Sequence, residues 1–315
     1  MISTKIAPAE VPDELLAKYE TVIGLEVHCQ LLTDSKLFAS DTNLFGGEPN
    51  THISPLTLAL PGTLPKLNKK AVEYAVRLGL ACGCAISPRT IFDRKNYFYP
   101  DLPKGYQISQ DKAPICIGGS VPITIKGKGN ELVERTIRFH HIHLEEDAGK
   151  SVHDGSTTDT QLDYNRAGTP LVEMVSEPDL RSAEETGAFV TEIRRLVRYL
   201  NISDGNMEEG SLRCDVNVSV RLLGAEEYGT KVEIKNMNSI RNIMRAVEFE
   251  RRRQVATLEN GDSLFQETRM FDAETGETYG MRVKETMNDY RYFPDPDLSP
   301  VVLTDERVAE IRAQM

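Results

Sequence analysis

Residues 143–179 include HLEEDAGKS at 143–151 and DYNRAGTPLVEMVSEPD at 163–179. Within the second motif, the apolar run 171–175 carries one carboxylate, Glu173. A short apolar run bounded by turn residues indicates a buried strand. An ionised carboxylate in such a strand is strongly unfavourable unless a cation or hydrogen-bond donors compensate its charge. The sequence therefore predicts that another part of the chain supplies a partner for Glu173.

Two further segments alternate between apolar and polar residues, as a strand with one buried face does. Segment 21–28 places Glu26 and His28 on one face of a strand. Segment 212–221 places Arg213, Asp215 and Asn217 opposite a face of Leu, Cys and Val. The polar face of the second strand is either plain solvent-exposed surface or the lining of an open polar cavity.

Helical periodicity separates these strands. It follows the capping residues Asn68, Ser182 and Ser239, and the first two helices are predicted to run to about residues 80 and 200. Strands do not alternate regularly with helices, which disfavours a doubly wound parallel sheet. The pattern predicts an α+β fold with a mostly antiparallel sheet flanked by helices.

Charge and composition restrict the class of protein. The chain has 315 residues, a net charge of −11 and five cysteines at scattered positions, which argues against a disulfide framework. A protein that binds nucleic acid unaided is usually basic, so the acidic balance favours a divalent cation or a basic partner. Neither a long apolar run nor a signal-peptide pattern occurs, so the chain is predicted to be cytoplasmic with no membrane span.

The candidate catalytic and metal-ligating residues are mainly acids on predicted strands. The chain contains no GxxxxGK[ST] loop and no GxSxG elbow. Inward-facing acids with one imidazole suit Mg²⁺ or Mn²⁺, which commonly serves a nucleotide phosphate. The acids in question are Glu26, Glu145 or Glu146, Glu173 and Asp215, beside His28. The cations that could neutralise phosphate charge are Arg166, Arg213, Lys235 and Arg291. The alternative is a set of structural ion pairs in a large antiparallel sheet.

One segment, FDRKNYFYPDLPKGY at residues 92–106, is dense in aromatic, basic and proline residues. It fits an aromatic cluster packed under a loop as well as a loop that faces substrate. Spacing alone does not decide between these two interpretations.

Together, several long motifs identify a family. They are YETVIGLEVHCQL at 19–31, HLEEDAGKS, DYNRAGTPLVEMVSEPD, EEGSLRCDVNVSVR at 208–221, KVEIKNMNS at 231–239 and DYRYFPDPDLSPV at 289–301. In this order they resemble the GatB family, the B subunits of the glutamyl/aspartyl-tRNA amidotransferases. The resemblance runs from about residue 19 to about residue 305.

The resemblance implies a cradle-like α+β domain similar to the glutamine synthetase and guanido kinase catalytic fold. It implies phosphorylation, with ATP and Mg²⁺, of Glu mischarged on tRNA(Gln) or Asp mischarged on tRNA(Asn). Ammonia from the amidase, the A subunit of the complex, would then displace the phosphate. A small C subunit would complete the heterotrimer.

The resemblance also implies residue roles. The implied Mg²⁺ ligands are His28, Glu146 and Glu173, and the neighbouring His140, His141 and His143 are set aside. The implied catalytic residues are Glu26, Asp215, Arg213 and Lys235. The residues implied to line the nucleotide and acyl-phosphate region are Arg166, Ser211, Asn217, Asn236, Asn238 and Arg291. The loop motifs 93–107 and 163–169 are implied to shape the pocket for the tRNA acceptor end.

Two departures from the family pattern shape the expectations. Some members bind zinc through CxC and CxxC motifs, but the matching positions here are Ala39, Asp41, Ser54 and Thr57, so no zinc is predicted. Members normally continue into C-terminal tRNA-binding domains, so an isolated catalytic portion is expected. The predicted organisation is a flexible lead-in over 1–19, the catalytic cradle over 20–305, and the start of a linker or helix over 306–315.

Two alternatives to the transamidation function remain. One is a non-catalytic scaffold for tRNA docking or complex assembly, although the retention of all the acids argues against lost chemistry. The other is a free-standing ATP-dependent ligase that acts on free glutamate without tRNA.

Overall fold

The computed structural model describes residues 5–127, 129–152, 159–281 and 290–315. In these ranges the helices are α1 Asp13–Leu16, α2 Lys69–Ala81, α3 Ala183–Tyr199, α4 Ile240–Glu259 and α5 Asp305–Ala313, with a short 3₁₀ turn at Pro8–Glu10. None of the helices in the described ranges combines the length and apolar character needed to cross a bilayer.

The strands in these ranges vary in length from two to fifteen residues. They are β1 Tyr19–Gln30, β2 Ala85–Ile86, β3 Arg89–Thr90, β4 Asp93–Asn96, β5 Tyr106–Ser109, β6 Cys116–Ile117, β7 Ser120–Lys126, β8 Leu132–Glu146, β9 Lys150–Val152, β10 Gln161–Asp163, β11 Pro170–Ser176, β12 Leu212–Leu222, β13 Val232–Lys235, β14 Glu267–Phe271, β15 Thr278–Gly280, β16 Phe293–Pro294 and β17 Val301–Val302.

In the described part of the chain, the main sheet has ten strands. Nine follow the order β15-β14-β13-β12-β1-β11-β8-β6-β2, and β7 pairs with β8. The described pairings in this sheet are antiparallel except for β13 with β14, which is parallel. The predicted α+β fold with a mostly antiparallel sheet is confirmed.

Local capping explains where the long helices begin. The side chain of Asn68 accepts a hydrogen bond from the backbone of Lys70 at the start of α2. Ser182 accepts one from Glu185 at the start of α3, and the Glu185 carboxylate accepts a hydrogen bond from the Arg181 backbone at 2.7 Å. These hydrogen bonds satisfy backbone donors that have no partner inside the helix. The predicted helix starts at Asn68 and Ser182 are confirmed.

The main sheet has one covered face and one open face. In the central strand β1, Ile23, Leu25 and Val27 are buried in the apolar core that α2, α3 and α4 complete. Glu26 and His28, one residue out of step with them, are only partly buried. Because successive side chains in a strand point to opposite faces, the helices cover one side and the polar residues share the other. Glu26 and His28 therefore lie on the same face, as predicted.

A small second sheet stands beside the open face. Strand β4 pairs with β5 and with β16, in the order β16-β4-β5. The Arg94 guanidinium binds Asp295 and Asp297 at 2.8 and 2.9 Å and stacks 4.3 Å from the centroid of the Tyr106 ring. These contacts attach segment 290–297 to a strand about two hundred residues earlier in the chain.

Residues near both ends of the sequence pack on helices. The lead-in was expected to be flexible, but in its described part Val11 and Leu16 are buried against Val220 and Val255. The 3₁₀ turn and α1 both pack on α4, and residues 1–4 lie outside the described residues. At the other end, 306–315 falls almost entirely in α5, which packs on α2 through the buried Ile311.

Candidate active site

One row of polar side chains crosses the open face of the main sheet. In the strand register, Glu173 of β11 lies opposite His28 of β1 and opposite His143 of β8. On the other side of β1, His28 lies opposite Arg213 of β12. Directly opposed residues share a face and have neighbouring Cβ atoms. Glu173 therefore has the partners that its place in an apolar run required.

The side chains in this row are in contact. The Nε2 atom of His28 lies 3.3 Å from Oε2 of Glu173, and Nε2 of His143 lies 3.4 Å from the same oxygen. His143 Nε2 also lies 3.4 Å from Oε2 of Glu145, and the hydroxyl of Ser109 donates to that oxygen at 3.0 Å. The Glu173 carboxylate thus contacts both imidazoles, and the His143 imidazole also contacts the Glu145 carboxylate.

Their protonation follows from these contacts. Burial alone would raise the pKa of Glu173, but hydrogen bonds from His143 and His28 outweigh it and hold that pKa well below its usual range. Burial works against a charged His143, yet Glu145 and Glu173 together raise the pKa of His143 to about 10. The arrangement is therefore an ionised carboxylate beside an imidazolium. His143, which the family resemblance sets aside, is part of the cluster.

Three residues of the cluster could hold a divalent cation. His28, Glu145 and Glu173 each offer one ligand atom, and these atoms lie within 4.8 Å of one another. Two carboxylate oxygens with one imidazole nitrogen form a donor set suited to Mg²⁺ or Mn²⁺. The residues present therefore fit the metal that the family resemblance implies.

Glu146 lies apart from this group. Its carboxylate binds the Lys104 ammonium and accepts a hydrogen bond from the Ile108 backbone at 3.0 Å. Side chains alternate along β8, so Glu145 shares a face with His143 whereas Glu146 points to the opposite face. The predicted grouping of Glu146 with His28 and Glu173 is not what the structure shows, and Glu145 occupies that place.

A second group of acids adjoins the first on the open face. Glu26, Asp215 and Glu233 offer oxygens within 4.8 Å of one another. The Lys235 ammonium binds Asp215 and lies 3.0 Å from Glu233. The Asn217 amide donates to Glu26 at 3.1 Å. Four of the predicted site residues, Glu26, Asp215, Asn217 and Lys235, are thus brought together, and Glu233 is an addition to them.

Among these acids, the negative charge of Glu26 is the least stabilised by neighbouring groups. Burial, reinforced by the charges of Glu173 and Glu233, raises its pKa, and the hydrogen bond from Asn217 only partly opposes this. Glu26 belongs to the second group, and the effect of Glu173 on its pKa shows that the two groups influence each other.

Two predicted arginines converge on one buried carboxylate at the end of the row. Arg213 binds Asp147 at 2.8 Å, and Arg166 lies 3.9 Å from the same oxygen. Burial would raise the pKa of Asp147, but these guanidinium groups lower it. The side chain of Gln30 also donates to Asp147, at 2.7 Å. Ser211 is buried next to this group, and its carbonyl accepts from the Gln30 backbone.

The remaining predicted site residues lie outside the polar row and outside the second group of acids. Asn236 and Asn238 lie between β13 and α4. The side-chain amide of Asn236 donates to the Phe271 carbonyl at 3.2 Å, and Oδ1 of Asn238 accepts from the side-chain amide of Asn242 at 2.9 Å. Arg291 lies just before β16, where its carbonyl accepts from the Asn96 amide at 3.0 Å. Their assignment to a nucleotide site stays a prediction.

Three of the four positions that match the family's zinc motifs, Asp41, Ser54 and Thr57, form a hydrogen-bond cluster. The Asp41 carboxylate accepts a hydrogen bond from the Ser54 hydroxyl at 2.8 Å and another from the Thr57 hydroxyl. Its backbone carbonyl also accepts from Lys36 at 3.0 Å. The cluster thereby connects two parts of the long irregular segment between β1 and α2.

We expect Asp41→Ala to loosen this segment. The change leaves the buried Thr57 hydroxyl without its acceptor, which is unfavourable by about 1–3 kcal/mol. Denaturant unfolding should show that loss, and limited proteolysis should cut residues 42–60 faster. The matched control is Asp34→Ala, at an exposed aspartate in the same segment. Equal effects of the two changes would contradict the structural role of Asp41.

A chain of imidazoles leads from the cluster to the surface. His143 Nδ1 lies 3.0 Å from His141 Nε2, and His141 Nδ1 lies 2.7 Å from Nδ1 of the exposed His140. Burial and the charges of His143 and His140 lower the pKa of His141 to about 4. His141 is therefore neutral in the folded protein at neutral pH and accepts a hydrogen bond from the charged His143.

This neutral histidine should make the fold sensitive to acid. The unfolded chain takes up a proton at His141 near its ordinary pKa of about 6.5, and the folded chain does so only near 4. Stability from this group is thus complete above pH 6.5 and lost as pH falls towards 4. Between pH 7 and pH 5 the wild type should lose about 1–2 kcal/mol more than His141→Gln in denaturant unfolding. Parallel losses would contradict the assignment.

Comparison with known proteins identifies the family of this chain. Residues 21–309 match the family model described as the GatB/GatE catalytic domain. A protein of Chlorobium limicola, named as the B subunit of an aspartyl/glutamyl-tRNA(Asn/Gln) amidotransferase, is 57% identical over 298 residues, which cover 95% of this chain and 62% of that protein. Proteins of the same name from Thermodesulfovibrio yellowstonii and Anaeromyxobacter dehalogenans are 54% and 56% identical. The chain spans about 62% of the length of such relatives.

Proposed function

The chain belongs to the GatB/GatE catalytic-domain family, and on that premise we propose that it activates and amidates the side-chain carboxylate of an amino acid carried on tRNA. The amino acid is Glu mischarged on tRNA(Gln), Asp mischarged on tRNA(Asn), or both. ATP and Mg²⁺ serve the activation. The ammonia comes from the amidase, or A, subunit within a cytoplasmic heterotrimer that a small C subunit completes. The names of the relatives support the tRNA-dependent amidation.

The observation that carries the proposal is the convergence of His28, Glu145 and Glu173 on the open face of the sheet. These residues come from three strands, and each strand turns its apolar side chains to the helices. A purely structural role does not require their polar atoms to meet on the uncovered face. Phosphoryl transfer does require such a group, because it proceeds by positioning and charge stabilisation.

We assign the cation to His28, Glu145 and Glu173. When bound, Mg²⁺ supplies positive charge that stabilises the phosphate oxygens during transfer. His143 lies against two of these ligands, 3.4 Å from each, and orients their carboxylates. The His143 ring is itself held in place, because its Nδ1 atom lies 3.0 Å from Nε2 of His141. Residues behind metal ligands commonly fix ligand orientation in this way.

The cations around the metal group fit the charges that the reaction develops. Arg213 lies opposite His28 in the register and is held by Asp147, and Lys235 is held by Asp215 and Glu233. Both are fixed before substrate arrives, so each can stabilise a phosphoryl group without reorganisation. Arg166, Ser211, Asn217, Asn236, Asn238 and Arg291 remain proposed contacts of the nucleotide and the acyl phosphate.

The test is ATP cleavage by the complete heterotrimer with the full-length chain. We expect cleavage in the presence of Mg²⁺ to depend on Glu-tRNA(Gln) or Asp-tRNA(Asn), and to be absent with correctly charged Gln-tRNA(Gln). Cleavage with free glutamate alone would favour the small-molecule ligase. An intact complex that binds the mischarged tRNA but never cleaves ATP would favour the scaffold.

A further inference from the structure

Three tyrosine rings and one lysine form a group beside the carboxylate cluster. The rings of Tyr97 and Tyr290 meet edge to face with centroids 6.0 Å apart, and those of Tyr290 and Tyr292 do so at 5.9 Å. The Lys95 ammonium lies 4.8 Å from the centroid of Tyr290 and 6.0 Å from that of Tyr97. We call Lys95, Tyr97, Tyr290 and Tyr292 the tyrosine cage.

The cage borders the candidate active site. Its strand β4 pairs with β5, whose Ser109 donates to Glu145 at 3.0 Å. Gln107, opposite Lys95 in the register, accepts a hydrogen bond from the Tyr97 hydroxyl at 3.2 Å. Burial lowers the pKa of Lys95, but Glu145 and the other charges around it outweigh that effect and raise it. The lysine is therefore a cation with the carboxylate cluster on one side and the aromatic rings on the other.

The composition of the cage differs from that of a packing core. The side chains of Tyr290 and Tyr292 are only half-buried, and the adjacent Phe98 is 89% exposed. The apolar core lies on the other face of the main sheet, under the helices, and contains none of the cage residues. An ammonium between half-exposed aromatic rings is the combination that binds a nucleotide, because the rings stack on a base and the cation attracts its phosphate.

We propose that the tyrosine cage is a nucleobase-binding site, where a base stacks on Tyr290 and Tyr292 while Lys95 attracts the neighbouring phosphate. The inference rests on the proposed function and deepens it, because both substrates of that reaction carry bases. The base belongs either to ATP or to the unpaired acceptor end of the tRNA. Stacking chemistry is the same in both cases, so the experiment has to distinguish the two sources.

The test uses 2-aminopurine, whose fluorescence is quenched when it stacks. It is placed either at the terminal position of a mischarged tRNA or in the base of a nucleoside triphosphate, and each probe is titrated with the complete heterotrimer containing the full-length chain. Wild type and Tyr290→Phe, which keeps the ring, should quench one of the probes. Tyr290→Leu, which keeps only the apolar bulk, should lose the quenching and raise the Kd of that probe about tenfold.

The matched control is Tyr228→Leu. Tyr228 is 64% exposed and also lies against a cation, with the Arg221 guanidinium 5.3 Å from its centroid. Arg221 is at the far end of β12 from Arg213, roughly 26 Å away along the strand. This variant should quench as wild type does. If Tyr290→Leu fails to assemble with its partners, Tyr292→Leu provides the same comparison.

Each outcome has a defined meaning. Quenching of the tRNA probe assigns the cage to the acceptor end, and quenching of the triphosphate probe assigns it to ATP. The inference is overturned if neither probe is quenched, or if the wild type, Tyr290→Leu and Tyr292→Leu quench equally. These readouts need no turnover. Failure of the proposed function would instead appear as absent ATP cleavage by the wild type, so the two failures are distinguishable.

Discussion

Glu173→Gln in the full-length chain is expected to lower ATP cleavage by the complete heterotrimer by about a hundred- to a thousandfold. Glu173 contacts both His28 and His143, and it is the carboxylate that connects β1, β11 and β8 on the open face. Glutamine has nearly the same shape, so the change removes charge rather than volume. Single-turnover cleavage with Glu-tRNA(Gln) and saturating Mg²⁺ measures the effect. Glutamine hydrolysis by the amidase should continue.

The control for this prediction lies on a neighbouring strand. Glu134 is an exposed carboxylate at the other end of β8, and Glu134→Gln should leave ATP cleavage unchanged. Unchanged cleavage in Glu173→Gln would contradict the assignment of the cation site. Losses in both variants would indicate damage to the sheet instead.

The proposed cation site also allows a test that does not measure activity, because it predicts different effects of replacing two adjacent glutamates. Mn²⁺ binding, measured by electron paramagnetic resonance, should weaken in Glu145→Gln and remain near wild type in Glu146→Gln. Glu145 offers an oxygen to the group of His28 and Glu173, whereas Glu146 is held by Lys104 and the Ile108 backbone. The reverse pattern would restore Glu146 to the role that the family resemblance implied.

Glu250→Ala is expected to produce the largest loss of stability, about 3–5 kcal/mol. Glu250 is fully buried in α4, where its carboxylate binds Arg253 at 2.6 Å and accepts hydrogen bonds from Gln254 at 2.9 Å and Thr278 at 3.0 Å. Arg269 lies 3.6 Å away. Alanine would remove this buried acceptor from Arg253, Gln254 and Thr278, and would leave Glu267 as the counter-charge of Arg253 and Arg269. Denaturant unfolding monitored by circular dichroism measures the loss.

The matched control is two residues earlier in the same helix. Glu248 also binds two arginines, Arg251 at 3.3 Å and Arg252 at 2.7 Å, but its side chain is 39% exposed. Exposed ion pairs contribute little because water already solvates both charges, so Glu248→Ala should reduce stability by less than about 1 kcal/mol. Equal losses in the two variants would show that burial is not what makes the Glu250 cluster strong.

Local signals predicted the parts of the fold that depend on neighbouring residues. The capping side chains of Asn68 and Ser182 set helix starts through contacts two or three residues away. Alternation along β1 placed Glu26 and His28 on a common face, because that requires only the geometry of one strand. Both signals lie within a single element, so the sequence alone carries them.

The choice between Glu145 and Glu146 depended on more than one strand. It follows from the register that places His143 opposite Glu173, and a shift of one residue would exchange the two carboxylates. That register includes an irregularity between Val175 and Ser176, which nothing local indicates. Sequence motifs could therefore narrow the proposed metal ligand to a pair of residues but could not select one of them.

Contacts between distant segments were the least predictable. Lys36 is among the largest fully buried side chains, and its ammonium donates to the His52 carbonyl at 2.7 Å. A lysine in a polar segment gives no sign of such burial, since lysine is almost never fully buried without a partner. The tyrosine cage likewise joins residues 95–97 to 290–292, and only the completed fold brings these aromatic residues together.

The attachment of segment 290–297 by Arg94 also has a consequence for biosynthesis. Arg94 is translated 201 residues before Asp295, its buried counter-ion. At a synthesis rate of about 5–20 residues per second, the guanidinium waits roughly 10–40 s on the ribosome for its partner. Strands β4 and β5 can pair during that delay, but the edge that receives β16 stays open. A nascent chain would thus carry the strands of the proposed cation site before it has the tyrosine cage.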